Sequence, residues 1–140
     1  MFELGNAMLI QTGHVDTGSA DFWIFSTYLQ SENGASNHTL YDPTRSSNFQ
    51  SAPGETFNIT YGDGSGARGI VGYDKVLIGA ATVTSQAIEM ATAVTSNFIS
   101  DTDNDGIMGL AFSYINSGKS CCCILDMMVV VSSCKLLTRP

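Results

Sequence analysis

The chain reads as an all-β domain, and three stretches carry that expectation. Residues 56–61 (TFNITY) alternate polar and apolar side chains, the period of a half-buried strand. Residues 62–66 (GDGSG) form a glycine-rich turn containing Asp-Gly, and residues 69–78 (GIVGYDKVLI) return as β-rich sequence. Together they predict a β-hairpin with a flexible tip. Residues 105–112 (DGIMGLAF) are an apolar strand interrupted by Gly109, where another backbone can approach closely. A length of 140 residues suggests one domain at most.

The chemistry-bearing segment comes first in chain order. Residues 15–23 read VDTGSADFW: an apolar residue runs into Asp-Thr-Gly-Ser, and Trp23 follows a short step later. Asp16 sits where the apolar run meets a turn, so the loop projects its carboxylate while Gly18 lets the backbone come close. Ser19 is placed to hydrogen-bond that carboxylate and Thr17 to tie the loop down. A carboxylate of this kind suits acid–base hydrolysis if a second one stands beside it. Two like charges at contact distance cannot both ionise, so one group stays protonated and the other stays basic. The base then takes a proton from a water held between them, and the acid protonates the substrate carbonyl. No second Asp-Thr-Gly or Asp-Ser-Gly occurs in the chain. Taken alone, the tripeptide also fits an ordinary turn, and the later hairpin fits any all-β domain.

In combination and in this order, the three segments resemble the N-terminal lobe of a pepsin-like aspartic peptidase, especially the fungal secreted type. Residues 41–49 (YDPTRSSNF) match a family loop as well. The resemblance runs over residues 15–117. It implies that Asp16 is one catalytic acid on a loop of Thr17, Gly18 and Ser19. It implies that Tyr61 is the tyrosine of a mobile flap, its hydroxyl meeting the indole of Trp23. Gly62 and Asp63 would meet substrate. Asp63 followed by Ser65 resembles members that accept a basic side chain before the scissile bond, whose charge a flap carboxylate would stabilise. Phe98 and Ile107 would line an apolar pocket, although Asn104 stands where a hydrophobic residue is more usual. A short helix is possible around residues 112–116. The expected partner is a polypeptide substrate, and the mechanism calls for no cofactor and no metal.

The ends depart from the family pattern. Members carry a second lobe with a second Asp-Thr/Ser-Gly motif. Residues 1–14 read as a divergent N-terminal segment, with Gln11 and Gly13 where alternating apolar strand residues are usual. Residues 118–140 read as an unrelated tail. Residues 15–117 hold eleven acidic and three basic residues, whereas 118–140 hold one acidic and three basic residues and all four cysteines. Gly118-Lys119-Ser120 can be encoded with a splice-donor-like GTAAGT, so the tail is expected to be translated intron; a divergent coding tail is the alternative. With one Asp of two, the chain alone is expected to have little or no activity. The missing C-terminal lobe, or less readily a second copy of the chain, would supply the other.

A net charge of −7 speaks against nucleic acid and suits a secreted or vacuolar protein working in acid. Residues 1–10 show no basic region followed by an apolar run, so no signal peptide is visible. The apolar run at 124–131 is too short to span a bilayer, and no membrane association is expected. Asn37-His38-Thr39 and Asn58-Ile59-Thr60 are glycosylation sequons, meaningful only on the secretory path. Cys121, Cys122 and Cys123 lack a nearby histidine and make a poor zinc site; their reversible lipidation is a weak alternative. His14 and His38 read as solvated loop or strand-edge residues.

Rival functions have thinner support. Residues 101–106 (DTDNDG) match the first six positions of an EF-hand loop, from Asp101 to Gly106, but position twelve is Phe112 where a bidentate Glu belongs. Gly118-Lys119-Ser120 lacks the upstream glycine of a P-loop, and no G-x-S-x-G is present. A non-catalytic peptide-binding lobe remains a further alternative.

Overall fold

A computed structural model describes residues 2–4, 8–10, 14–30, 37–78, 81–112 and 115–117. The strands among them are β1 (Phe2–Leu4), β2 (Met8–Ile10), β3 (His14–Asp16), β4 (Phe22–Phe25), β5 (Gln50–Thr60), β6 (Gly66–Ile78), β7 (Ala81–Val94) and β8 (Gly106–Gly109). One short helix, α1 (Ser96–Ser100), and a 3-10 turn at Pro43–Arg45 complete the regular structure of the described residues. The expected translated-intron tail, 118–140, lies outside them, as do residues 11–13.

The strands make one mixed sheet in the order β2-β1-β6-β7-β4-β8-β3, with β5 added to β6. The fold is all-β, one open mixed sheet, as expected. The predicted hairpin is present: β5 and β6 run antiparallel from Thr60↔Gly66 back to Gln50↔Tyr73, with an irregularity between Ser51 and Thr56. The longest ladder joins β6 to β7. The 14-residue strand β7 has no counterpart among the sequence expectations, because its alanines, serines and threonines give weak apolar alternation. Nor do β1 and β2, which pair with each other and dock on the end of β6 through Phe2↔Ile78 and Leu4↔Val76.

β4 is the centre of the packing. Its four residues, Phe-Trp-Ile-Phe, are all buried. Successive strand residues point to opposite faces, and the two faces of β4 feed two cores. Phe22 and Ile24 pack with Tyr41, Val76, Ile88, Met90 and Met108 on one side. Trp23 and Phe25 pack with Phe57, Ala67, Ala91, Phe98 and Ile107 on the other. A strand covered on both faces has no polar face, which is why it reads as a continuous apolar run.

His38 corrects its solvated reading. Its ring is buried and stacks on Phe25 at 4.2 Å and 6°. Nε2 lies 3.0 Å from the Ile99 carbonyl oxygen, and Nδ1 lies 3.5 Å from Asp105 Oδ1. The same Asp105 oxygen accepts the Thr39 N–H at 2.9 Å. Phe25 stacks on the ring and the Ile99 carbonyl meets Nε2, while Nδ1 faces Asp105 without a hydrogen bond among the described residues. His14 is exposed on β3.

Candidate active site

Asp16 ends β3, an edge strand that runs parallel to β8 with Asp16 opposite Gly109. The carboxylate is half-buried, and Val15 beside it is 59 % exposed. Its Oδ1 accepts the Gly18 N–H at 2.8 Å. This differs from the expectation for Ser19, whose Oγ is buried without a hydrogen-bond partner among the described residues. The tight turn presents the Gly18 backbone donor to the carboxylate, while Ser19 has already turned into the protein. Thr17 and Gly18 are exposed.

The loop is stapled from behind by the segment after β8. Gly109 N–H donates to Asp21 O at 2.8 Å, Leu110 N–H to Asp16 O at 2.7 Å, and Ala111 N–H to Ser19 O at 2.9 Å. The close approach expected at Gly109 is real: a Cβ there would lie 2.5 Å from Ser19 O and 2.7 Å from Asp21 N. Only glycine permits that contact.

The hairpin tip faces the same region. Trp23 Nε1 donates to Tyr61 Oη at 2.8 Å. Phe98, from α1, sets its ring edge-on to Trp23 at 4.9 Å and to Tyr61 at 5.8 Å. Edge-to-face contacts of this kind hold ring orientation as well as burying area. Burial pushes the Tyr61 phenol up to about 12; the Trp23 hydrogen bond opposes that rise, and the charges of Asp21, Asp16 and Glu89 add to it. The tyrosine is therefore protonated, a donor as well as an acceptor, across acid and neutral pH. Ile107 is buried in the same cluster.

At the tip, Gly62 and Asp63 are exposed. Asp63 Oδ1 accepts from Ser65 N–H at 2.9 Å and from buried Ser65 Oγ at 2.6 Å. Those bonds hold the Asp63 carboxyl below its ordinary value, the Ser65 hydroxyl contributing most. Asp63 thus presents a fixed negative charge on an exposed turn.

Two acids close to the Asp16 loop escaped the sequence reading. Asp21 and Glu89 are each 1 % exposed, Asp21 just before β4 and Glu89 on β7 opposite Trp23. Asp21 Oδ1 accepts Ser117 N–H at 2.8 Å and Ser117 Oγ at 2.6 Å. Neither Glu89 oxygen has a hydrogen-bond partner among the described residues. Burial, with the Asp21 charge second, pushes the Glu89 carboxyl up to about 9. The only sequence signals were an acid inside ADFW and another inside AIEM.

Two side chains of the EF-hand-like segment have structural contacts, while Asp101 and Asp103 are exposed. Asn104 is buried, and its Oδ1 accepts the Gly106 N–H at 3.0 Å, which explains a polar residue where an apolar one is usual. Asp105 faces His38 and Thr39. Among the described residues no group of three or more His, Cys, Asp or Glu side chains converges as a metal site. The helix expected near 112–116 is represented by one bond, Ile115 N–H to Phe112 O at 3.1 Å; residues 113 and 114 lie outside the described set. No helix among the described residues is long and apolar enough to cross a membrane.

A carboxylate on a stapled loop thus stands near a tyrosine-bearing hairpin that is tied to the strand following that loop. A family model for eukaryotic aspartyl proteases matches residues 3–137, and the chain belongs to that family. It is 50 % identical over 102 residues to penicillopepsin-1 of Talaromyces stipitatus and 51 % identical over 102 residues to aspergillopepsin-1 of Aspergillus fumigatus. It is 47 % identical over 104 residues to aspartic protease PEP3 of Coccidioides posadasii. These alignments cover 73–74 % of this chain and 23–25 % of the relatives. The chain thus spans about a quarter of the length of the curated relatives it matches.

Proposed function

We propose that this lobe contributes one of the two carboxylates of an aspartic endopeptidase, and that Asp16 is that carboxylate. The observation that carries the reading is the 2.8 Å bond from Trp23 Nε1 to Tyr61 Oη, which anchors the hairpin tip over the strand emerging from the Asp16 loop. In the complete enzyme a second Asp stands beside Asp16 and the two share one proton. The ionised member draws a proton from a bound water, which attacks the peptide carbonyl carbon. The protonated member donates to the carbonyl oxygen, and the tetrahedral intermediate collapses with loss of the amine. Thr17, Gly18 and Ser19 form the loop that aims Asp16. Gly62 and Asp63 lie along the substrate backbone, and Phe98 with Ile107 gives the apolar floor beneath Tyr61. The fixed charge of Asp63 favours a lysine or arginine before the scissile bond.

The second carboxylate comes from a C-terminal lobe, and the 140-residue chain alone is inactive. The protein is secreted or vacuolar. Residues 118–140 are translated intron. Sequencing the transcript across the codons for residues 117–123 tests the last point: a spliced message reading on to a second Asp-Thr/Ser-Gly motif supports it, and read-through to Pro140 removes it. The activity is tested by pepstatin-sensitive cleavage of a peptide at acid pH. The two-lobed product should cleave, its Asp16→Asn variant should not, and the lone chain should not. Asp16-dependent cleavage by the lone chain would instead mean that two copies pair.

A further inference from the structure

β5 lies at the edge of the sheet: among the described strands it pairs with β6 alone. A long edge strand offers unpaired backbone groups to another chain, and proteins blunt such edges with proline, bulges or charge. The first half of β5 has these devices. Pro53, Gly54 at φ 86°, Glu55 and the register break between Ser51 and Thr56 lie there. The second half has none of them. Residues 56–60 (TFNIT) carry no charge and no proline, and they pair with β6 in unbroken register from Thr56↔Ile70 to Thr60↔Gly66.

That unguarded half contains the sequon Asn58-Ile59-Thr60. Phe57 and Ile59 turn toward the core that contains Trp23. Asn58 and Thr60 alternate to the opposite face, and both are exposed. Neither side chain has a hydrogen-bond partner among the described residues. A depression of about 290 Å³ opens beside them, lined by Asn58, Thr60, Arg68 and Thr95 and, from the Trp23 cluster, by Ile59 and Val94. The other sequon is differently placed: Asn37 is exposed, but His38 is locked between Phe25, Ile99 and Asp105.

We propose that Asn58 carries an N-linked oligosaccharide that shields the regular half of the β5 edge. The inference rests on the proposed secretory route. The Asn58 amide nitrogen attacks the anomeric carbon of a lipid-linked oligosaccharide. A C–N bond forms, the C–O bond to the lipid pyrophosphate breaks, the pyrophosphate leaves with the bond electrons, and the amide proton passes to a base of the transferase. The attached glycan is bulky, solvated and directed away from the flap's apolar side.

The test expresses the full 140-residue chain behind a supplied secretory leader, with an added C-terminal tag bearing its own sequon, in an Asn37→Gln background. Peptide N-glycosidase treatment is followed by gel mobility and by the mass of the tryptic peptide spanning residues 46–68. The expected result is glycan on both the tag and Asn58 in the parent and in Thr60→Ser, and on the tag alone in Asn58→Gln and Thr60→Ala. Asn58→Gln and Thr60→Ala, which lack the glycan without adding a charge, should also self-associate more than the glycosylated parent on gel filtration. A glycosylated tag with an unmodified 46–68 peptide overturns the site, and unchanged self-association overturns the shielding role. The tag reports lumenal entry independently, so a failure of natural secretion is read separately.

Discussion

β4 and β5 are both strands of one sheet, and they divide its labour. β4 has four residues, all buried, with alternate side chains feeding two separate cores. β5 has eleven residues, mostly exposed, and is followed directly by the tyrosine that reaches back to β4. The short strand holds the lobe together, while the long one leads into an exposed glycine-rich tip. Rigid elements position a site and their exposed loops operate it. The Trp23–Tyr61 bond is where the two regions meet.

The largest break in this comparison is Trp23→Ala. It empties a fully buried site and removes the donor to Tyr61, so it should cost about 3–5 kcal/mol, enough to unfold a marginal lobe. Urea unfolding followed by fluorescence of an introduced reporter or by circular dichroism measures it. A loss below about 1 kcal/mol would remove β4 from its central place.

Next is pH acting through Glu89. Its carboxyl is raised from the ordinary 4.5 to about 9 in the folded lobe, by burial first and Asp21 second. The folded state therefore keeps a proton that the unfolded chain releases. The contribution is complete below about pH 4.5 and drains as pH climbs toward about 9, by up to about 1.4 kcal/mol per pH unit. Glu89→Gln should flatten that decline. Equal slopes for parent and variant across pH 4.5–9 would sink the assignment.

Tyr61→Phe isolates the link between the two strands. It leaves the buried Trp23 N–H without its acceptor, at a cost of about 1–3 kcal/mol. In the two-lobed product it should lower cleavage as well, because the flap loses its anchor. A variant as stable as the parent would show that the hairpin docks without this bond.

The smallest effect on stability belongs to Asp63→Ala, since the side chain is exposed and its bonds are local. Unfolding should be unchanged within error. Cleavage after lysine should fall relative to cleavage after leucine in the two-lobed product. Equal loss on both substrates would assign Asp63 to general flap geometry in place of charge selection.

The hairpin, its glycine tip and the β8 segment were legible because their signals are local. TFNITY alternates, GDGSG must turn, and Gly109 marks a close approach. Asp16 with its loop was legible for the same reason. The Ser19 contact was not: whether a hydroxyl turns to a neighbouring carboxylate depends on the packing behind it, and Gly18 N–H occupies that role instead. His38 shows the limit most clearly. Nothing adjacent in sequence marks it as buried, since Phe25, Ile99 and Asp105 converge on it only after folding.

By itself, then, the sequence determined an all-β lobe, an Asp-bearing loop and a glycine-tipped hairpin, because each rests on residues within about a turn or a strand of one another. The tertiary structure alone decided that β7 is the spine beside β4, that Asp21 and Glu89 share a buried interior, and that the β8 segment staples the Asp16 loop. These depend on contacts between segments up to ninety-six positions apart, as between Asp21 and Ser117. No local pattern encodes such contacts; they arise when the chain buries its apolar faces together.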